Sequence, residues 1–288
     1  MRVRSSRASG VAAPVRRARE AAVIAAFALL PGTLGAGDAQ VLPEVTVQLE
    51  GAYSMPPEDA FVWDTWIGAG AGLLRVKAAT AYVTADVETV LGRERRVFDA
   101  NQANYHLEGG VRIQAGRHLV IPFFHHVSRH VVDRPKTQLV DWNLLGARVT
   151  GPLPRAFPLP GRYAASVAHT VEWRTVGYEW ELTGAVDVAL CRRPWGALYL
   201  RAGTRFVTVA TQAGLPRGNF ADFRAEAGAR LGKDARELDL FAAYEHRNDV
   251  FLFEPGARDR ALLGLRIGFA PGGSAGPNLP IQGLGASP

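Results

Sequence analysis

From Val45 to Phe269 the chain alternates apolar and polar residues at period two, in about twelve short segments ended by turn residues. Successive side chains of a strand point to opposite faces, so each segment acquires one apolar and one polar face. The second half shows this most cleanly. Trp180, Leu182, Gly184, Val186, Val188 and Leu190 stand against Glu181, Thr183 and Asp187. Leu198, Leu200, Ala202, Thr204 and Phe206 oppose Arg201 and Arg205. Ala221, Phe223, Ala225, Ala227, Ala229 and Leu231 oppose Asp222, Arg224, Glu226 and Arg230. Leu238, Leu240, Ala242 and Tyr244 oppose Asp239 and Glu245, and Ala261, Leu263, Leu265, Ile267 and Phe269 oppose Arg260 and Arg266. Further strands are expected near 44–53, 62–75, 80–90, 104–113, 118–128, 140–150 and 163–174, which brings the count to twelve.

A soluble sandwich would show the same alternation. Three features favour lipid instead. The segments run about ten residues, enough to cross a bilayer when tilted. Tyr53, Trp142, Tyr163, Trp173, Trp180, Tyr244 and Phe269 fall near segment ends, where interfacial girdles form. Connections alternate between short (76–79, 114–117, 191–196, 232–236) and longer (91–103, 129–139, 208–218, 247–258), with breaks in rhythm at 151–161 and 175–177. The expected fold is all-β: a closed antiparallel transmembrane β-barrel of about 12 strands, with both barrel ends of the chain in the periplasm.

In such a barrel the charged faces line the lumen. Asp86 and Glu88 are expected beside Arg112, Glu181 and Asp187 beside Arg201 and Arg205, and Glu226 between Arg224 and Arg230. Paired long side chains of opposite sign fill a narrow lumen rather than leaving it open. Gly68, Gly70 and Gly72 share one face and are expected to make room inside. Their spacing lacks the dinucleotide-binding pattern.

Composition alters the picture at the N-terminus. The chain is 48% apolar, yet no run approaches the roughly 20 apolar residues of a transmembrane helix. Ala21–Leu30 is the longest approach. It follows Arg2, Arg4, Arg7, Arg16, Arg17 and Arg19 and precedes Gly35, Ala36, Gly37 and Ala39. A basic start, a short apolar core and small residues are the parts of a secretory signal. The expected organisation is a cleaved signal peptide over 1–39, an outer-membrane barrel over 40–269 and a flexible Gly/Pro/Ser-rich tail over 270–288. Without residues 1–39 the 33 basic and 27 acidic residues become 27 and 25, a net charge near +2. The remaining basic residues do not cluster, so nucleic acid is not an expected partner. Cys191 is the sole cysteine, which excludes an internal disulfide and a thiolate metal cluster.

Reactive side chains concentrate in the segment Val120–Pro135, which reads VIPFFHHVSRHVVDRP. His126 and His130 would share a face on a helix. On a strand they lie about 13 Å apart, too far for one metal ion unless the strand ends between them. His125 and His126 face opposite ways. His126 and Ser128 share a face about 6.7 Å apart, which suits a nucleophile beside its base. Such a pair needs a third group to fix the imidazole tautomer. Asn143 on the next strand is the candidate. It shares a face with Leu145, Ala147 and Val149, leaving Arg148 for the lumen, so Asn143 is expected to point outward. The face of His126 and Ser128 is less determined, because Leu119, Ile121, Phe123 and Val127 are as apolar as Val120, Pro122 and Phe124.

His126-Val-Ser128 followed by Trp142-Asn143 resembles outer membrane phospholipase A, a family of twelve-stranded barrels. The resemblance implies Ser128 as nucleophile, His126 as base and Asn143 as the group orienting the ring, at the outer rim. It also implies calcium as a cofactor. The family continues Ser-Asn-Gly-Arg, whereas Arg129-His130 follow Ser128 here, at the positions tied to the oxyanion and calcium. A His-x-Ser pair is found in lipid A deacylases too, where an acidic residue is the third member; Asp133 or Asp141 could serve here. The leading expectation is a serine-type lipid acyl-ester hydrolase. The alternative is a non-catalytic barrel acting as a narrow channel or a structural or binding protein. Outer-membrane lipids are the expected partners, and a homodimer is an expected assembly.

Overall fold

A computed structural model describes residues 39–132, 139–211, 218–233, 236–251 and 256–270. The expected signal peptide before Ala39, the tail beyond Ala270 and Asp133 lie outside the described residues. Twelve strands follow one another: β1 (Ala39–Glu58), β2 (Phe61–Val76), β3 (Ala79–Gly92), β4 (Asp99–Ala115), β5 (His118–Val131), β6 (Val140–Pro152), β7 (Gly161–Arg174), β8 (Tyr178–Arg193), β9 (Gly196–Val209), β10 (Phe220–Lys233), β11 (Arg236–Arg247) and β12 (Arg258–Phe269). Neighbours pair antiparallel, and β1 pairs with β12 to close the barrel. Closure leaves no sheet edge, the one way a β structure satisfies its backbone polar groups in hydrocarbon.

The strands run 12 to 20 residues, longer than the ten expected. The ladder continues past the membrane-crossing length. Gly92 pairs with Asp99 and Leu91 with Ala100, so the connection expected over 91–103 shrinks to 93–98. At the end where β1 begins and β12 finishes, 77–78, 116–117 and 194–195 are two-residue turns and 153–160 is longer. The opposite end carries the longer connections, except 59–60 and 175–177.

The outer wall is apolar. Val45, Val47, Leu49, Ile67, Leu107, Leu182, Leu200, Phe223, Leu240, Leu263, Leu265 and Ile267 are all exposed there. The lumen holds the charges, joined across strands. Arg224 on β10 donates to Glu50 on β1 at 2.8 Å and lies 3.2 Å from Glu226. Arg266 meets Glu50 (2.7 Å), Glu226 (3.0 Å) and Asp239 (3.2 Å). Arg247 on β11 reaches across to Asp64 at 3.0 Å and to Glu88. Arg205 pairs with Glu181 (2.8 Å) and Asp222 (3.1 Å), and Arg201 with Asp187 (2.8 Å). The side chains of Glu226 and Glu88 are 0% exposed and that of Arg205 1%, so these groups plug the lumen.

Three expectations are corrected. Arg112 pairs with Glu44, not with Asp86 or Glu88, because the register sets Thr80 opposite Arg112 and Asn104 opposite Glu88. Arg230 binds Asp187 and Asp239, both at 3.0 Å, and leaves Glu226 to Arg266 and Arg224. Trp142 joins no interfacial girdle. It is 0% exposed inside the barrel, in a cluster with Phe123, Val127, Val140, Leu144, Val176, Tyr178 and Val207, against which Trp173 packs. Period two requires this, since Trp142 shares its face with Leu144 and the lumenal Arg148. The glycines of β2 behave as expected. A Cβ on Gly68 would collide with the Asp86 carboxylate, and one on Gly70 would lie 2.8 Å from Thr46 Oγ1.

Candidate functional site

Alternation along β5 sends His125, Val127 and Arg129 into the lumen, where all three are buried. His126, Ser128 and His130 stand on the outer wall, half-buried, near the end of the barrel opposite the start of β1 and the finish of β12. Asn143 also faces outward, because Arg148 takes the lumen and binds Glu108 through two hydrogen bonds of 3.1 and 2.7 Å. The antiparallel register sets His126 opposite Asn143 and Ser128 opposite Asp141. On the next strand Asn143 faces Glu172 and Asp141 faces Arg174.

These pairings produce a directed hydrogen-bond chain. Asn143 Nδ2 donates to Glu172 Oε2 at 3.4 Å, which turns Oδ1 toward β5. That oxygen lies 2.8 Å from His126 Nδ1. An amide oxygen only accepts, so Nδ1 is the donor of this bond, and in the neutral ring Nε2 carries the lone pair. Ser128 Oγ is 2.8 Å from His130 Nε2, so the hydroxyl pairs with the histidine after it, not with His126. The His130 ring packs edge-on against Tyr105, with centroids 5.4 Å apart. Asp141 forms an ion pair with Arg174 at 3.2 Å. On β7, the His169 ring lies tilted against Trp180 of β8, with centroids 4.6 Å apart.

Ser128, His126 and Asn143 thus share one outward patch, with His126 and Asn143 in contact. Sequence reasoning weighed His130 only as a metal ligand with His126, and passed over Glu172. His130 stands two residues beyond Ser128 on the same face, a position that period two alone assigns. Glu172 became a partner only through the β6–β7 register, which shifts between Asn143 and Leu144. The inward His125 stacks on His106, with ring nitrogens 3.2 Å apart.

The donor set does not suit calcium. That ion takes six to eight oxygen ligands. The carboxylate across from Ser128 is committed to Arg174. Among the described residues no group of three His, Cys, Asp or Glu could hold a metal ion.

No protein-family model and no curated protein matches the chain. Solved structures are similar to it only at low identity and low TM-score. The translocator domain of the autotransporter NalP from Neisseria meningitidis is 13% identical over 89% of this chain and 94% of its own, with a TM-score of 0.35. CdiB from Acinetobacter baumannii is 8% identical over 81% of this chain and 60% of its own, with a TM-score of 0.42. The β domain of the Bordetella autotransporter BrkA is 12% identical over 79% of this chain and 97% of its own, with a TM-score of 0.34. The phospholipase resemblance rests on the residues of β5 and β6.

Proposed function

We propose that this chain is a bacterial outer-membrane β-barrel whose outer wall carries a serine esterase site for lipid acyl esters, similar in kind to phospholipase A. The observation that carries this reading is the chain from Glu172 through Asn143 to His126, which leaves an unprotonated Nε2 on a ring two residues from Ser128. Ser128 turns about its Cα–Cβ bond from His130 toward His126. Its hydroxyl proton passes to His126 Nε2 as Oγ bonds to the ester carbonyl carbon. The carbon–alkoxide bond then breaks, and the alcohol leaves with the proton from His126. Water, deprotonated by the same nitrogen, releases the fatty acid and restores Ser128. Asn143 acts as a positioning residue, holding the tautomer and sharing the charge of the imidazolium.

The test is fatty-acid release from mixed phospholipid vesicles containing the reconstituted chain. Ser128→Ala and His126→Ala should each lower the rate at least about 10³-fold, and Asn143→Ala by a smaller factor. If both alanine variants match the parent, the hydrolase reading fails. If His130→Ala abolishes release while His126→Ala does not, the base is His130 and the role given to Asn143 falls.

A second reading, a structural or binding barrel without catalysis, is favoured by the Ser128–His130 hydrogen bond, which satisfies the hydroxyl without His126. It predicts no hydrolysis. The narrow-channel alternative finds less support, because buried ion pairs plug the lumen. Planar-bilayer recordings should show no steady conductance, and ion-selective steps would restore that alternative.

A further inference from the structure

The apolar belt differs in height around the barrel. On β10 outward apolar residues run without a break from Ala221 to Leu231, and on β12 from Ala261 to Phe269. A strand rises about 3.3 Å per residue, and a tilt near 40° leaves roughly 2.5 Å of height. These runs therefore cover about 20–25 Å, close to the apolar band of roughly 25 Å on outer-membrane barrels. On β5 the outward apolar run is only Val120, Pro122 and Phe124, between His118 and His126. On β6 it is Leu145, Ala147 and Val149, and on β7 Tyr163, Ala165 and Val167, after which His169 is exposed. By the same measure each of these runs is about 10 Å high.

A second observation concerns the inner side of the same wall. Behind His126, Ser128 and Asn143 the apolar side chains Val127, Val140, Trp142, Leu144 and Tyr178 are buried together, with His125 and Arg129 beside them. The polar groups of the outer face are therefore not balanced by a wholly charged lumen of the kind found behind β10 and β12.

We propose that the bilayer is thinned beside β5, β6 and β7, so that outer-leaflet phospholipid headgroups and water descend to His126, Ser128 and Asn143. A short apolar stretch draws the bilayer down to its own height, because the alternative is polar groups left in hydrocarbon. The occupant of this face is the headgroup and ester region of a bilayer lipid. The proposal rests on the membrane placement given above, but not on hydrolysis. It adds that lipid esters lie at the height of Ser128.

The experiment is a nitroxide depth scan in a Cys191→Ser background, in dioleoyl phosphatidylcholine and phosphatidylglycerol vesicles. Single cysteines replace the outward residues of β5 at 120, 122, 124, 126 and 128, and those of β12 at 261, 263, 265, 267 and 269. Collision with oxygen and with a water-soluble nickel chelate reports the depth of each label. Three oxygen-dominated positions on β5 against five on β12, with 126 and 128 open to nickel, are expected. Labels at 126 and 128 as oxygen-rich and nickel-shielded as those at 263 and 265 would overturn the proposal. Heat-modifiable gel mobility confirms that each variant is folded. Should His126→Cys fail to fold, the series 143, 145, 147 and 149 on β6 replaces the β5 scan, with label 143 nickel-accessible if the proposal holds and oxygen-rich if it fails. Because no activity is read, a thinned bilayer around an inactive barrel would remove the esterase reading alone.

Discussion

The walls formed by β10–β12 and by the outer ends of β5–β7 solve opposite problems with one backbone. The first sets Ala, Leu, Ile and Phe toward hydrocarbon and ties Arg224, Glu226, Asp239 and Arg266 together inside. The second sets His126, Ser128, Asn143 and Glu172 outside and seals Val127, Val140, Trp142 and Leu144 within. Both obey period two; the second carries polar groups outside and mixes apolar side chains with His125 and Arg129 inside. Strand geometry fixes which residues share a face, while the surrounding medium decides which face must be apolar. Polar side chains on the outer wall therefore mark where that wall stops meeting hydrocarbon.

The comparison can be broken in both regions. The largest effects belong to the two interiors. Trp142→Ala empties the centre of the apolar cluster and should cost about 3–5 kcal/mol, read from urea unfolding in detergent or lipid. Glu226→Ala removes a buried carboxylate that Arg224 and Arg266 share, leaving them Glu50 and Asp239 and the lumen one negative charge short, and should cost a similar 3–5 kcal/mol or so. A loss below about 1 kcal/mol in either would mean that water fills that part of the barrel. The exteriors should then diverge. Leu265→Arg, on the full-height wall, should cost about 2–4 kcal/mol, whereas Asn143→Arg should cost about 0–1 kcal/mol, as expected near an interface. Equal penalties would erase the distinction between the two walls. The smallest contrast tests the crowded lumen. Gly68→Ala, which drives a methyl group into Asp86, should destabilise by about 1–3 kcal/mol. Gly51→Ala, whose Cβ would meet nothing within 4 Å, should leave the unfolding midpoint nearly unchanged.

Much of the candidate site was legible as a set of faces. Arg148 can be neutralised only inside, so Asn143 had to point out and Trp142 in. Reading Trp142 as part of a girdle ignored that parity. The face of His126 and Ser128 was ambiguous because Ile121, Phe123 and Val127 are as apolar as their neighbours. The structure shows why: Phe123 and Val127 pack on Trp142 inside, so both faces of β5 are apolar for different reasons. The pairing of Ser128 with His130 depends on side-chain rotamers, which no spacing rule supplies.

The sequence by itself determined the number of strands, which residues of a strand share a face and the antiparallel order, because alternation at period two and short turns are local properties of the chain. Closure and register decided the rest. They chose Glu44 over Glu88 for Arg112, brought Arg247 of β11 to Asp64 of β2, and set Glu172 behind Asn143. Those partners are distant in the chain, and only a closed cylinder with a fixed stagger brings them within hydrogen-bonding distance.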